Sequence, residues 1–136
     1  MLMKKSTLRR KSKTPLAQAK QKLWELCREI TALRHKPFCY TCDAGPLSGS
    51  NKQLGHFISS SICSTELRYD LENLKFQCAA CNIWKSGNWL AFEQHLIADG
   101  VDVEALKRRN EATKGLKYDI SWYTSKIEEY EKILHG

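Results

Sequence analysis

The sequence of 136 residues has no long apolar run: its longest uninterrupted stretches, Trp89 to Phe92 and Cys78 to Cys81, hold four residues each. A membrane helix needs ~18 or more, so a helical membrane span is excluded. No apolar segment follows the basic N-terminus, which argues against a secretory signal and gives a reducing cytoplasm as the expected location. In that compartment the six cysteines point to metal before disulfides. Internal repeats are absent, and low complexity is confined to the basic N-terminal tail. Acidic residues are missing from the first thirteen positions, where Lys4, Lys5, Arg9, Arg10, Lys11 and Lys13 supply +6 of the formal +7.

The remaining charge is patterned. Residues 14–38 carry +3, 39–103 carry −3, 104–117 carry +3 and 118–136 carry −2. The middle is acidic between basic flanks, so the overall charge speaks to association with a polyanion and not to fold. Residues 1–13 read as a disordered tail, since like-charge blocks rarely fold alone; a solubilising arm and a phosphate-binding arm are both open. Residues 14–136 have the length of one modest domain.

Thr14 is placed to cap a helix, with Pro15 at the first helical position, where its missing N–H costs nothing. Leu16, Ala19, Leu23, Cys27, Ile30 and Leu33 then recur at spacings of three and four to about Arg34, and Pro37 closes the helix. From Phe38 to Cys81 the pattern is broken. It holds a loop from Gly45 to Asn51, a brief apolar piece Leu54–Ile58, a serine-rich loop Ser59–Ser64 and a strand candidate Leu74–Gln77. Helical signals return after Asn82: a short piece to Lys85, a break at Ser86-Gly87, then Asn88–Ala98, about Asp102 to Lys114, and a last helix capped by Asp119. Ile120, Tyr123, Ile127, Tyr130 and Leu134 form an apolar stripe on that last helix, which must pack on the domain or on a partner.

Cys39-Tyr-Thr-Cys42 and Cys78-Ala-Ala-Cys81 are two C-x-x-C pairs separated by 35 residues. A two-residue gap lets both sulfurs of a knuckle face one ion at ~2.3 Å, and two knuckles complete a tetrahedral site. Four thiolates leave no open position for water, so this zinc would be structural, stapling a segment too irregular to bury its own core. Cys27 fits an apolar helix face and Cys63 a loop; both read as free thiols.

Between and just after the knuckles lie Gly55-His56-Phe57, Leu71-Glu72-Asn73-Leu74 and Cys81-Asn82-Ile83-Trp84-Lys85. A histidine standing alone would read as a structural residue. A strand-borne His, an Asn before a second strand, and an Asn opening a helix after a zinc cysteine together resemble the HNH nucleases of the His-Me finger (ββα-metal) group. The longer strings Leu54-Gly-His-Phe, Leu67-Arg-Tyr-Asp-Leu-Glu-Asn and Gln77-Cys-Ala-Ala-Cys-Asn-Ile-Trp-Lys-Ser-Gly-Asn88 are similar to those of the NinG (Rap) family of lambdoid phage recombination proteins. This similarity covers roughly residues 15–134. The Cys-x-x-Cys-Asn step also resembles phage endonuclease VII-type resolvases.

The resemblance implies a helix-rich α+β fold: a zinc-stabilised ββα-metal core flanked by an N-terminal helix and C-terminal helices. It implies a structure-specific DNA endonuclease cleaving branched recombination intermediates, Holliday junctions and D-loops, in the cytoplasm of a bacterial host. His56 is then the general base, since its ordinary pKa of ~6.5 leaves much of it neutral at cellular pH. A catalytic Mg²⁺ or Mn²⁺ would take oxygen ligands, with Asn82 the first candidate. Asn73 would orient the turn and the His56 backbone. Lys85 and Arg68 are candidate phosphate contacts beside the basic tail; either could equally be a surface residue, and Arg68 could pair with Asp70 or Glu72.

One departure matters: many HNH enzymes carry an Asp before the catalytic His, and this chain has Gly55. Asp70 is the nominee for the second metal ligand, with capping of the turn as its alternative role. Two symmetric cuts across a four-way junction call for a homodimer, for which the Leu16–Leu33 or Ile120–Leu134 stripes are interface candidates unless they are core. Host or phage recombination proteins are conceivable partners. A non-catalytic zinc-braced DNA-binding mediator and a sequence-specific HNH enzyme are the other readings; no dedicated base-reading domain is evident for the latter.

Overall fold

A computed structural model describes residues 13–136. Lys4, Lys5, Arg9, Arg10 and Lys11, and with them most of the basic tail, lie outside the described residues. Lys13 is within them and donates through Nζ to Gln21 Oε1 on the first helix.

Helix α1 spans Pro15–Arg34; Thr14 Oγ1 accepts from the Ala17 N–H at 3.1 Å, and Pro15 fills the first helical position. His35 leaves the helix in an extended conformation, as suits a chain that meets Pro37 two residues later. Leu23, Leu26, Cys27, Ile30 and Thr31 are buried. Leu33 is a correction to the apolar stripe, for it is 69% exposed. At 100° per residue it falls on the stripe's edge in the last turn, where the burial of the helix has ended.

Strands β1 (Gln53–His56) and β2 (Leu74–Gln77) form one antiparallel pair, with Gln53 opposite Gln77, Gly55 opposite Lys75 and His56 opposite Leu74. All four residues of β2 are buried, whereas in β1 only Leu54 and Gly55 are. Between the strands, Ser64 caps a one-turn helix α2 (Thr65–Arg68) by accepting from the Leu67 N–H at 3.2 Å. A π-helical turn at Ala80–Trp84 follows β2, and helix α3 runs from Trp89 to Ala98.

Helix α4 spans Val103–Thr113, capped by Asp102 Oδ1 accepting from the Ala105 N–H at 3.0 Å. Helix α5 spans Ile120–His135, capped by Asp119 Oδ1, which accepts from the N–H groups of Ser121 and Trp122 at 3.1 and 3.4 Å. The described residues thus make a helix-rich α+β protein with a small two-stranded sheet.

Two apolar clusters organise it. The larger joins α1, both strands, the cysteine turns and α5, and includes Leu23, Leu26, Ile30, Leu54, Leu74, Phe76, Tyr123 and Tyr130. In it the stripes of α1 and α5 pack on each other, so they serve as core within the chain. Ile120 stays at the surface, 43% exposed. Tyr130 donates its hydroxyl to the Tyr69 carbonyl at 2.6 Å, which lets a buried phenol satisfy its polar end. Cys27 is buried in the same cluster, and burial pushes its thiol up to about 12, as suits an unreactive core sulfur. The smaller cluster, Phe57, Leu67, Phe92, Leu96, Val103 and Leu106, holds α2, α3 and α4 beneath the loop after β1. No helix among the described residues is long and apolar enough to cross a membrane.

Candidate functional site

The sulfurs of Cys39, Cys42, Cys78 and Cys81 lie within 4.8 Å of one another. A tetrahedral ion with Zn–S bonds of ~2.3 Å would set its sulfurs about 3.8 Å apart. Cys42 Sγ and Cys78 Sγ stand 3.7 Å apart, so the donor set fits zinc in chemistry and spacing. Three of the cysteines are buried and Cys42 is at the surface. Backbone bonds build the knuckles: Cys39 N–H to Ala44 O and Asp43 N–H to Cys39 O hold the first, and Cys81 N–H donates to Cys78 Sγ at 3.4 Å in the second. Tyr40 N–H to Phe76 O, at 2.9 Å, ties the first knuckle to β2. Burial would raise the Cys39 thiol, but donors from Thr41 Oγ1 and neighbouring backbone N–H groups outweigh it and bring it to about 6, while burial pushes the neighbouring Cys42 thiol up to about 12.

An open groove of about 900 Å³ lies at the end of β1. His56, Asn82, Ser86, Gly87 and Trp89 line it together with the Ser59–Ser61 loop, Glu93 and Lys107. His56 closes β1 and stacks on Trp24 of α1, with ring centroids 5.4 Å apart and planes 11° from parallel. Its Nε2 lies 3.1 Å from the Arg68 carbonyl oxygen. A carbonyl can only accept, so Nε2 carries the proton and Nδ1 keeps the lone pair. Burial, with the Arg68 charge adding to it and the carbonyl contact opposing it, lowers the His56 pKa to about 4. The ring is therefore neutral at pH 7.

Asn73 is fully buried and fastens the chain after His56. Its Oδ1 accepts from the Ile58 N–H at 2.7 Å, and its Nδ2 donates to Leu67 O at 2.9 Å and Ile58 O at 3.3 Å. The Phe57 N–H donates to the Asn73 carbonyl at 2.9 Å. Asn82 opens the turn after Cys81 and donates from Nδ2 to Gln53 Oε1 at 2.7 Å. That leaves its Oδ1 turned toward Gly55: a Cβ built there would lie 3.1 Å from it. The same Cβ would stand 2.0 Å from Gln77 Oε1, so no other residue fits at 55 without displacing Gln77.

Gln77 is buried between the two structures. Its Nε2 donates to Thr41 Oγ1 in the first knuckle and to the Gly87 carbonyl at the groove, at 3.0 and 2.8 Å. Its Oε1 is the buried side-chain polar atom left without a hydrogen-bond partner among the described residues. Gln77 Oε1 thus fills the space beside Gly55 and, being buried, does not line the groove, whereas Asn82 does. The Asn82 amide oxygen is a hard, neutral donor of the type Mg²⁺ and Mn²⁺ accept. Sequence reasoning missed Gln77, although a polar residue on a fully buried strand, two positions beyond Lys75, was the available signal. It also missed Trp24, which no short-range pattern connects to His56.

Asp70 is placed elsewhere. Its Oδ1 accepts from the Glu72 N–H at 2.8 Å, capping the turn before β2, and its Oδ2 pairs with Arg109 of α4. It does not line the groove with His56 and Asn82. Arg68 reaches back through Nη2 to the Ser60 carbonyl at 3.1 Å, on the serine rim of the groove, and forms no pair with Asp70 or Glu72. Lys85 is exposed at the end of the π-helical turn.

The fold and the site define a small helix-rich α+β protein, stapled at a four-cysteine centre able to hold zinc, with a histidine–asparagine groove beside it. The chain belongs to the NinG family: the family model described as Bacteriophage Lambda NinG protein matches residues 2–135. No curated protein and no solved structure matches it.

Proposed function

We propose that this protein is a metal-dependent endodeoxyribonuclease of the HNH, His-Me finger type that cuts branched recombination intermediates. The observation that carries the reading is the state of His56: neutral, its proton fixed on Nε2 by the Arg68 carbonyl, its Nδ1 lone pair free, in one groove with Asn82. The antiparallel pair followed by a turn bearing Asn82, braced by four cysteines, supports the ββα-metal reading of the fold. Family membership supports the recombination setting.

Hydrolysis of a phosphodiester needs a deprotonated water, charge stabilisation on the phosphate and protonation of the leaving O3′. His56 Nδ1 takes the proton from the attacking water, and Trp24 stacked on one face with Arg68 O on Nε2 holds the ring in orientation. Asn73 positions the His56–Ile58 backbone. Asn82 Oδ1 would hold the divalent cation, which when bound supplies Lewis-acid stabilisation of the phosphate and leaving oxygen. Asp70 keeps its capping and ion-pair role. Zinc at the four cysteines is structural. Lys85 and the N-terminal basic residues contact DNA phosphates, in a bacterial cytoplasm. A homodimer would place two such grooves on one junction, paired through a surface other than the α1–α5 seam, which is core.

The test is cleavage of a synthetic four-way junction with Mg²⁺ or Mn²⁺, beside linear duplex of the same sequence. Junction-selective cutting that is lost in His56→Ala while binding is kept supports the proposal. Binding with no cleavage by either protein overturns it in favour of a non-catalytic mediator, and equal cutting of linear duplex overturns the branch selectivity.

A further inference from the structure

The turn after the second cysteine knuckle carries an apolar surface that the fold does not use. Trp84 is 81% exposed, Trp89 61%, and Ile83 and Leu90 54% each, all within eight residues of chain. The other two tryptophans are engaged: Trp24 stacks on His56, and Trp122 on Tyr118 with centroids 4.5 Å apart. Single exposed apolar residues are ordinary, but four large ones within eight residues of chain point to a binding surface.

The backbone beneath this group is fixed. Ser86, Gly87 and Asn88 adopt positive φ angles of 50°, 87° and 48° in succession, a conformation common for Gly, open to Asn and rare for Ser. Gly87 N–H donates to Cys81 O at 2.8 Å, the Gly87 carbonyl accepts from Gln77 Nε2 at 2.8 Å, and Asn88 Nδ2 donates to Cys81 Sγ at 3.6 Å. A strained turn locked to a metal-ligating cysteine and a buried glutamine presents its flanking side chains in set directions. Strain held in this way accompanies function.

Its location names the occupant. Ser86, Gly87 and Trp89 line the groove that holds His56 and Asn82, and exposed Lys85 sits between the two tryptophans in sequence. Resting on the reading of this groove as a DNA-cleaving site, we propose that Trp84 and Trp89 form a stacking platform for nucleobases exposed where duplex DNA branches. In a linear duplex each base face is covered by its neighbours, whereas a branch point ends or opens the stack and leaves faces free. Tryptophan accepts any base on its ring, so the platform reads shape and not sequence, and Lys85 meets the adjoining phosphate. The rigid turn also gives the contact without ordering a loop on binding. A second copy of the chain is the other apolar partner such a surface could take; exposed Lys85 between the two tryptophans in sequence, and the place of Trp89 in the groove lining, favour nucleic acid.

The experiment uses the full chain with zinc and no added Mg²⁺ or Mn²⁺, so that binding is measured apart from cleavage. A four-way junction and a linear duplex carry 2-aminopurine, at the branch point and at the matching internal position. The wild-type protein should quench the branch-point probe. Trp84→Ala and Trp89→Ala should each weaken junction affinity about tenfold or more, leave duplex affinity unchanged and abolish the quenching, whereas Trp84→Phe should keep it. Both side chains are exposed, and an unchanged circular dichroism spectrum verifies that the variants fold. Equal losses on both DNAs, unaltered quenching, or conversion of a dimer to a monomer by either alanine variant overturns the proposal. Unaltered quenching beside junction cleavage that needs His56 would remove the platform and leave the nuclease reading standing.

Discussion

Because His56 is held neutral, acidification should cost this protein more stability than it costs a variant that cannot titrate at position 56. The histidine's ordinary value of 6.5 falls to about 4 in the fold. Between those values the unfolded chain binds a proton that the folded chain excludes. Stability from this group is therefore fully present above pH 6.5 and is lost as pH falls toward 4. Linkage gives about 2 kcal/mol lost between pH 7 and pH 5 from His56 alone, an order-of-magnitude figure. Urea unfolding of wild type and His56→Gln at the two pH values, with saturating zinc, reads it out. The variant loses the Trp24 stack and the Arg68 contact at both pH values, so these terms cancel in the difference. The wild type should show the larger pH dependence by about 2 kcal/mol; parallel pH dependences would refute a half-buried, neutral His56, and with it Nδ1 as a ready base.

Removing zinc with a chelator, or replacing Cys78 by Ser, should unfold the segment between the knuckles, since structural zinc supplies roughly 10–16 kcal/mol of apparent binding energy; loss of helicity followed by zinc-dependent recovery checks it. Gly55→Ala should destabilise by about 1–3 kcal/mol in urea, because the new methyl collides with Gln77 Oε1, and should weaken Mn²⁺ binding followed by its paramagnetic signal. Asn73→Ala leaves the Ile58 N–H and the Leu67 carbonyl without partners and should cost about 2–4 kcal/mol, with cleavage falling even where the protein is folded. Asp70→Asn should lower thermal stability through the lost Arg109 pair while junction cleavage persists; abolished cleavage in a folded Asp70→Asn variant would return Asp70 to the metal.

What the sequence made legible was local. Thr14 with Pro15, and Asp119 before the last helix, are caps whose bonds span three or four residues, and both helices begin where those residues place them. The cysteine quartet was legible because C-x-x-C spacing encodes its own geometry. Residues whose roles depend on distant partners were not. Asp70 reads equally as ligand or cap until Arg109, 39 positions away, engages its second oxygen. Trp24 sits on a helix whose pattern says nothing of His56. Gln77 looks like a residue beside a zinc ligand, and its bridging of Thr41 and Gly87 emerges only when two turns meet. Leu33 shows the opposite failure: periodicity continued past the point where anything remained to cover it.

The pairing of α1 with α5 bears on when, during synthesis, the histidine acquires its properties. His56 leans on Trp24, Trp24 on Tyr69, and Tyr69 on Tyr123 and on the hydroxyl of Tyr130, both carried by α5. A ribosome delivers α5 after every other described element, and a contact spanning about a hundred residues closes late. A nascent chain can fold its cysteine turns and still lack the wall that partly covers and orients His56. A chain that stops before α5 should therefore keep its cysteine turns and lack the packing that orients His56.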